Sequence, residues 1–378
     1  MAEKRSNPRR RKSRRIRYAV VGLGHIAQAA VLPAFKHAAS NSELVALVSG
    51  EPRKLKKLGQ RYRVRKLCGY DEVDELFQSG EIDAIYIALP NDQHREYAVR
   101  AARAGLHVLC EKPMAVRARD CEAMIREANK ARIKLMIAYR LHFERANLEV
   151  MKIARSGRLG ELRFFSSDFS MQVRDDNIRL KKAKGGGPLY DIGVYCINAA
   201  RYTLGEEPTA VWATATRSHD RRFREVEESL IGVLRFKDER LASFTCSFGA
   251  ADRSTYTVTG TRGSVTLDPA FEYAQGLVAN IRIGERTERR RFAKSDQFAP
   301  ELLYFSDCIL KDRDPEPSGL EGMRDVAIIE AMQRSSRTGR WVTLKPLARK
   351  ARPNARQDIR RPAVPREPAL VAVRAASR

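Results

Sequence analysis

The sequence predicts an α/β protein: an N-terminal doubly wound parallel sheet, followed by a C-terminal α+β domain with a largely antiparallel open sheet. Three observations carry that reading. From Tyr18 to Ala138, short continuous apolar runs alternate with amphipathic stretches, as in strands covered on both faces by crossover helices. Beyond Phe143, strand-like runs follow one another at close spacing with short turns, as in an antiparallel sheet. At 378 residues the chain is too long for one compact core and fits two or three domains of roughly 150 residues each.

In the first half the expected strands are Tyr18–Val21, Leu44–Ser49, Ala84–Ala88, His107–Cys110 and Lys134–Ala138. Expected helices between them are Ile26–Ala39, Arg53–Arg61, Asp71–Gln78, Gln93–Ala104 and Ala118–Ala131. In the second half a helix over Asn147–Ser156 leads to a strand over Leu162–Val173. A lysine-rich, three-glycine loop (Lys181–Gly187) then opens a helix near Tyr190–Leu204. Strands follow at Ala210–Thr216, Val226–Phe236, Leu241–Phe248, Ser254–Thr259 and Ser264–Leu267, then helices near Gln297–Leu310 and Met323–Arg337 and a last strand at Trp341–Leu344. The domain reading is a basic disordered tail over 1–17, a nucleotide domain over 18–142, a substrate and dimerisation domain over 143–344, and a basic Pro/Arg-rich tail over 345–378.

Composition narrows the function. Lys and Arg outnumber Asp and Glu by 25, but Met1–Arg17 and Lys345–Arg378 carry sixteen of those charges. The central chain is thus only mildly basic, and no nucleic-acid partner is expected of it. Arg9–Arg15, with six cations in seven residues, leaves a polyanion-associated, non-catalytic alternative resting on the tails alone. The six cysteines include no CxxC pair and have no close His, so no metal site or disulfide framework is expected, and a reducing, cytoplasmic location is. No apolar run approaches the ~18 residues of a membrane span.

Val20 to Ala27 is a strand running into Gly-x-Gly-x-x-Ala and then a helix. Gly22 permits the tight turn, Gly24 lets backbone amides approach a pyrophosphate, and the helix start at His25-Ile26 supplies partial positive charge. In this strand–turn–helix context the motif specifies a dinucleotide-binding Rossmann unit. The second strand ends at Ser49 rather than at a carboxylate, with Arg53 and Lys54 close behind, a set that suits a 2′-phosphate and therefore NADP. Glu51 leaves NAD possible.

Pro90, Asn91 and His94 follow the third strong strand, and Glu111-Lys112-Pro113 follows the fourth, both at the carboxyl ends where open α/β sheets bind ligands. The segments GLGHIA, PNDQH, CEKPMAV, AYRLHF and GGGPLYDIGVYCINAARYTLGEEP stand in this order along the chain. Together they closely resemble the glucose–fructose oxidoreductase/inositol dehydrogenase (Gfo/Idh/MocA) family, and within it the glucose–fructose oxidoreductase branch. The resemblance runs from about Tyr18 to Leu344.

The resemblance implies an NAD(P)-dependent oxidoreductase acting on CH–OH groups. By its motifs, Lys112 is the site lysine, Tyr195 the acid/base where much of the family has His, and Asp191 the group orienting sugar hydroxyls. Asp191 and Tyr195 are four apart and share a helix face. A free phenol titrates near ~10, so Tyr195 needs a cation beside it, and Lys112 is the candidate. Glu111 and Arg140 join the cofactor side, and Tyr139 and Asn198 the substrate side. His94 and His142 occupy matching positions but also read as structural histidines. The expected reaction passes hydride between C1 of an aldose and NADP. A xylose, aldose or dihydrodiol dehydrogenase with exchangeable NAD(P) shares most of these motifs. Lys181, Lys182 and Lys184 either attract an anionic substrate or are solvated. A homodimer or homotetramer is expected through the open sheet, with Val211, Ala213, Ala215, Val233 and Phe244 on the pairing face.

Overall fold

Parallel strands β1 (Ile16–Val21), β2 (Ser42–Val48), β3 (Lys66–Cys68), β4 (Ala84–Ile87), β5 (His107–Glu111) and β6 (Leu135–Ala138) form the first sheet. Their order is β3-β2-β1-β4-β5-β6, so the direction of winding reverses between β1 and β4, where such sheets open a crevice. This computed structural model describes residues 14–346, 353–365 and 368–376. Alternate residues of β1 feed two cores. Tyr18 and Val20 pack under α1 (Leu32–Ala38) and α2 (Pro52–Tyr62). Ala19 and Val21 pack on the face covered by α3 (Val73–Gln78), α4 (His94–Arg103) and α5 (Ala118–Ala131).

The second domain begins with α6 (Arg145–Arg155), β7 (Leu162–Ser170) and α7 (Val194–Leu204). It continues through β8 (Ala210–Thr216), β9 (Ser229–Arg235), β10 (Leu241–Ser247), β11 (Arg253–Gly260), β12 (Gly263–Leu267), β13 (Leu277–Ile283) and β14 (Arg286–Phe292). It ends with α8 (Ala299–Leu310), α9 (Gly319–Thr338) and β15 (Val342–Thr343). The nine strands run β14-β13-β12-β11-β7-β10-β9-β8-β15, all antiparallel neighbours except the parallel pair β7–β10.

Several expectations need correction. β3 and the β13–β14 hairpin were not expected: β3 is a three-residue edge, and β14 reads Arg-Thr-Glu-Arg-Arg-Arg before Phe292, charge that protects an edge strand while hiding its pattern. The first strand starts at Ile16, inside the span read as tail, with the Arg17 backbone N–H donating to Asp83 Oδ2 at 2.9 Å. Residues 1–13 lie outside the described residues. Although α8 falls within 143–344, it docks on the nucleotide domain. There the Tyr18 and Ser306 hydroxyls are 2.8 Å apart and Asn41 Nδ2 donates to the Leu303 carbonyl at 2.9 Å. On the large sheet, Val211, Ala213 and Phe244 are buried under α7 and α9, not on an open face. The open face instead carries Phe164, Ile231 and Leu241, exposed by 46%, 46% and 43%, with Val233 and Trp212 paired beside them.

The C-terminal stretch is likewise no free tail. Gln357 Nε2 donates to Glu316 Oε2 at 2.8 Å, and Arg361 Nε donates to the His37 carbonyl at 3.0 Å. Among the described residues no helix is long and apolar enough to cross a membrane.

Candidate active site

β1 delivers the chain to Gly22, whose φ of +96° favours glycine and whose added Cβ would lie 2.7 Å from the Ala88 carbonyl oxygen. At Gly24 a Cβ would meet only that oxygen, at 3.9 Å, so the loop surface stays open to an anion. A wide helical turn over Ala27–Val31 then leads into α1 and directs its first N–H groups toward the loop. At the end of β2, Ser49 Oγ accepts from the Glu51 N–H at 3.2 Å, and on the first turn of α2 Arg53 stands exposed and Lys54 half-buried. A hydroxyl and two cations beside an open glycine loop fit a dinucleotide carrying a phosphate monoester on its ribose.

A cleft of ≈ 380 Å³ opens from this loop to the second sheet, lined by His25, Ile26, Asn91, Glu111, Lys112 and Arg140 on one side. Phe169, Arg179, Asp191, Tyr195, Phe271 and Tyr273 line the other. Lys112 follows β5, and its Nζ donates to the Asp191 carbonyl at 3.0 Å and to Asp191 Oδ1 at 3.4 Å. Arg179 Nε donates to the other carboxylate oxygen, Oδ2, at 2.6 Å. Burial pushes the Asp191 carboxyl up, but Arg179 and Lys112 outweigh it and hold it at about 2. Burial works against the Lys112 ammonium, yet Tyr195, Asp191 and Glu111 outweigh it and raise its pKa. Lys112 is therefore a cation near neutral pH, not a proton acceptor.

Tyr195 stands on α7 directly after a second wide turn, Leu189–Gly193, that contains Asp191. Such turns cluster at functional sites because they re-aim side chains within a helix. The Tyr195 ring has Lys112 Nζ 4.7 Å from its centroid and the Arg140 guanidinium carbon 5.0 Å from it. Phe169 and Phe271 pack on the same ring at 5.7 and 5.9 Å between centroids. Arg140 is held by Gln297 Oε1 and the Phe271 carbonyl. Behind Lys112, Glu111 accepts from the Tyr86 hydroxyl at 2.8 Å, and burial pushes its carboxyl up.

Three of the expected residues lie behind the cleft rather than in its wall. His94 is fully buried, with its ring nitrogens 3.0 and 2.9 Å from the Pro113 and Leu89 carbonyls, so it pins together the two turns that carry Pro90, Asn91 and Lys112. Tyr139 stacks on His142 and faces the Asp325 carboxylate. Asn198 donates to Glu321 and Asp325 and accepts from His142 Nε2 at 2.7 Å. One helical turn beyond Tyr195, it points into a buried polar network that includes Arg201 and Glu207. Neither Tyr139 nor Asn198 lines the cleft, which corrects their expected substrate role. Sequence reading passed over a third cation in the site, Arg179; Lys181 and Lys184 pair instead with Glu225 and Asp92. Phe169, near the end of β7, and Phe271 and Tyr273, in the loop between β12 and β13, were also missed; a loop carries no periodicity that could have signalled the last two.

Residues 16–139 match the model of an oxidoreductase family with an NAD-binding Rossmann fold, and residues 147–266 match the GFO/IDH/MocA C-terminal domain. The chain belongs to the Gfo/Idh/MocA family. It is an oxidoreductase, as the paired EKP and DxGxY motifs led one to expect. Among Gfo/Idh/MocA relatives, the crystal structure of aldose-aldose oxidoreductase from Caulobacter crescentus, complexed with glycerol, is 40% identical with a TM-score of 0.84, over 88% of this chain and 100% of that one. D-xylose 1-dehydrogenase [NADP(+)] from Haloarcula marismortui is 30% identical over 87% of this chain and 93% of its own length. A 3-ketoreductase from Actinomadura kijaniata, solved with NADP and TDP-benzene, is 27% identical with a TM-score of 0.78, covering 85% of this chain and 98% of that one.

Proposed function

We propose that the protein is an NADP-dependent sugar oxidoreductase that oxidises an aldose at C1 to the lactone and can return the hydride to a second carbonyl. The observation that carries this reading is the Tyr195 phenol set between two cations, Lys112 and Arg140, opposite an ionised Asp191. The similarity to aldose-aldose oxidoreductase and to NADP-dependent xylose dehydrogenase supports the substrate class.

The bound dinucleotide supplies the hydride acceptor. Everything else falls to the chain's own residues. Asp191, kept ionised by Arg179 and Lys112, accepts hydrogen bonds from sugar hydroxyls and fixes the ring over the cleft floor. Phe169 and Phe271 offer flat apolar faces to the sugar's C–H side. Tyr195 takes the proton of the C1 hydroxyl as C–H bond cleavage proceeds. In that step Tyr195 acts as its phenolate and is left as the neutral phenol; Lys112 and Arg140 face the phenolate's charge beforehand and the partial charge on the sugar oxygen as its proton leaves. Ser49, Arg53 and Lys54 favour NADP over NAD. The exposed Phe164, Ile231 and Leu241 support pairing of two chains through the open sheet, to be checked by light scattering of the purified protein.

The test is the near-ultraviolet absorbance of reduced nicotinamide when glucose or xylose is added, with and without NADP. Tyr195→Phe is expected to lower turnover by about 10²–10⁴-fold while nucleotide affinity stays within about twofold. Full activity in that variant, or no reduction with any aldose, overturns the proposal.

A further inference from the structure

The described C-terminal residues cross back over the nucleotide domain, and Ala375 and Ala376 reach the active-site cleft. Three contacts mark their path. The Ala369 carbonyl accepts from Arg61 Nη1, at the end of α2, at 2.7 Å. The Val371 N–H donates to Gln28 Oε1 at 2.7 Å, and Gln28 Nε2 donates both to the Val371 carbonyl at 3.1 Å and to the Leu23 carbonyl at 2.9 Å. The Ala376 carbonyl accepts from the Arg174 N–H at 3.0 Å, in the loop that follows β7.

These contacts are specified, not incidental. Gln28 is fully buried, and Val371 satisfies both ends of its amide, which without this segment would lose those partners inside the fold. Val371 itself is 7% exposed and packs with Leu23, Leu32 and Leu55. Ala372 then takes a φ of +51°, a conformation that L residues adopt only where surroundings impose it, and turns the chain toward the cleft. Ala375 and Ala376 reach the cleft wall that also carries Lys112, Asp191 and Tyr195.

The two inner anchors stand on opposite sides of the dinucleotide's route. Gln28 lies just behind the glycine loop of the nucleotide domain, while Arg174 belongs to the substrate domain. Five residue-to-residue steps join Val371 to Ala376, enough to span up to about 18 Å. A dinucleotide held by Ser49, Gly24 and Lys112 would lie between these two anchors. The span's single charged residue is Arg374, a cation.

We propose that residues 368–376 form a strap that closes the dinucleotide groove by linking the two domains across its mouth, so that the nucleotide enters and leaves only when the strap lifts. The proposal rests on the NADP reading above and deepens it: the strap makes the nucleotide a slowly exchanging group and forms part of the substrate wall.

The experiment loads the full chain with NADPH and chases it with excess NADP, following the loss of bound-NADPH fluorescence in a stopped-flow instrument without any sugar. It compares the full chain with a chain ending at Pro365 and with full-length Val371→Pro, which removes the N–H given to Gln28. Release from either variant is expected to be at least tenfold faster than from the full chain. Amide exchange at Val371–Ala376 of the unmodified chain is expected to slow at least tenfold when NADPH is added, a readout independent of whether a variant folds. Equal release rates in folded variants, or exchange unaffected by NADPH, overturn the strap. Tighter and faster NADPH binding by the shortened chain overturns it too, because the segment then competes for the groove instead of covering it. A full chain that binds no NADPH overturns the dinucleotide reading and the strap with it.

Discussion

The Lys112 ammonium stands 4.7 Å from the centre of the Tyr195 ring while donating to the Asp191 carbonyl, so one side chain ties the tip of the nucleotide domain to Asp191 and Tyr195 of the other domain. This geometry gives Lys112 an electrostatic role. Lys112→Met is expected to lower kcat by about 10²–10³-fold, the usual cost of removing one preorganised donor near developing charge. Lys112→Arg should recover little, because a planar fork does not reproduce a point charge over the ring. Steady-state kinetics on both variants checks this, and a Met variant within tenfold of the parent sinks the role.

Asp191 makes acid sensitivity predictable. Its carboxyl is held at about 2 in the folded chain, below the ~3.9 of an unfolded chain. A depressed carboxyl contributes stability that is fully present above roughly pH 4 and is lost as pH falls toward 2, on the order of 2 kcal/mol. Arg179→Met removes the largest opposing charge and leaves burial to push the carboxyl up. The acid limb of the kcat/KM profile should move up by at least about one pH unit. An unmoved limb means that Asp191 does not act as a carboxylate on the substrate.

Glu301 carries the opposite sign. It is wholly buried in α8, and burial reinforced by the nearby Glu111 holds its carboxyl well above the ordinary range. Folding must therefore keep a proton that the unfolded chain releases above about pH 4.3, so stability falls as pH rises past that point. Glu301→Gln should raise unfolding free energy by about 1–3 kcal/mol at pH 8 and change little at pH 4. Urea titrations at the two pH values decide it, and the same difference at both refutes the buried-proton account.

The strand end of β2 governs nucleotide choice. Ser49→Asp places a carboxylate where a 2′-phosphate needs a hydroxyl, and it should cut the preference for NADP over NAD by at least about tenfold. Competitive binding of the two nucleotides measures this directly. An unchanged ratio would mean that Arg53 and Lys54 set the preference alone.

Motif-bound features were legible because their causes are local. The turn at Gly22, the helix start after Gly24, and the helix near Tyr190–Leu204 depend on residues within a few positions of one another; the wide turn that opens that helix was not foreseen. The sequence therefore placed Lys112, Asp191 and Tyr195 on the correct elements, and showed the first sheet to be parallel though not its strand order. Edge strands such as β14 escaped because charge that guards an edge erases alternation.

By itself, then, the sequence determined the two-domain α/β architecture, the family, the glycine loop and the meeting of Lys112, Asp191 and Tyr195 in one cleft. The tertiary structure alone decided which neighbours face the cleft. Asn198, one helical turn beyond Tyr195, was rotated into a buried ionic network, while Arg179 reached Asp191 from twelve residues away through an irregular loop. Gln28 and Val371, 343 positions apart, meet in a single hydrogen-bonded pair. Local chemistry reads out along the chain; contacts of that separation depend on how helices rotate and loops close when apolar surface is buried.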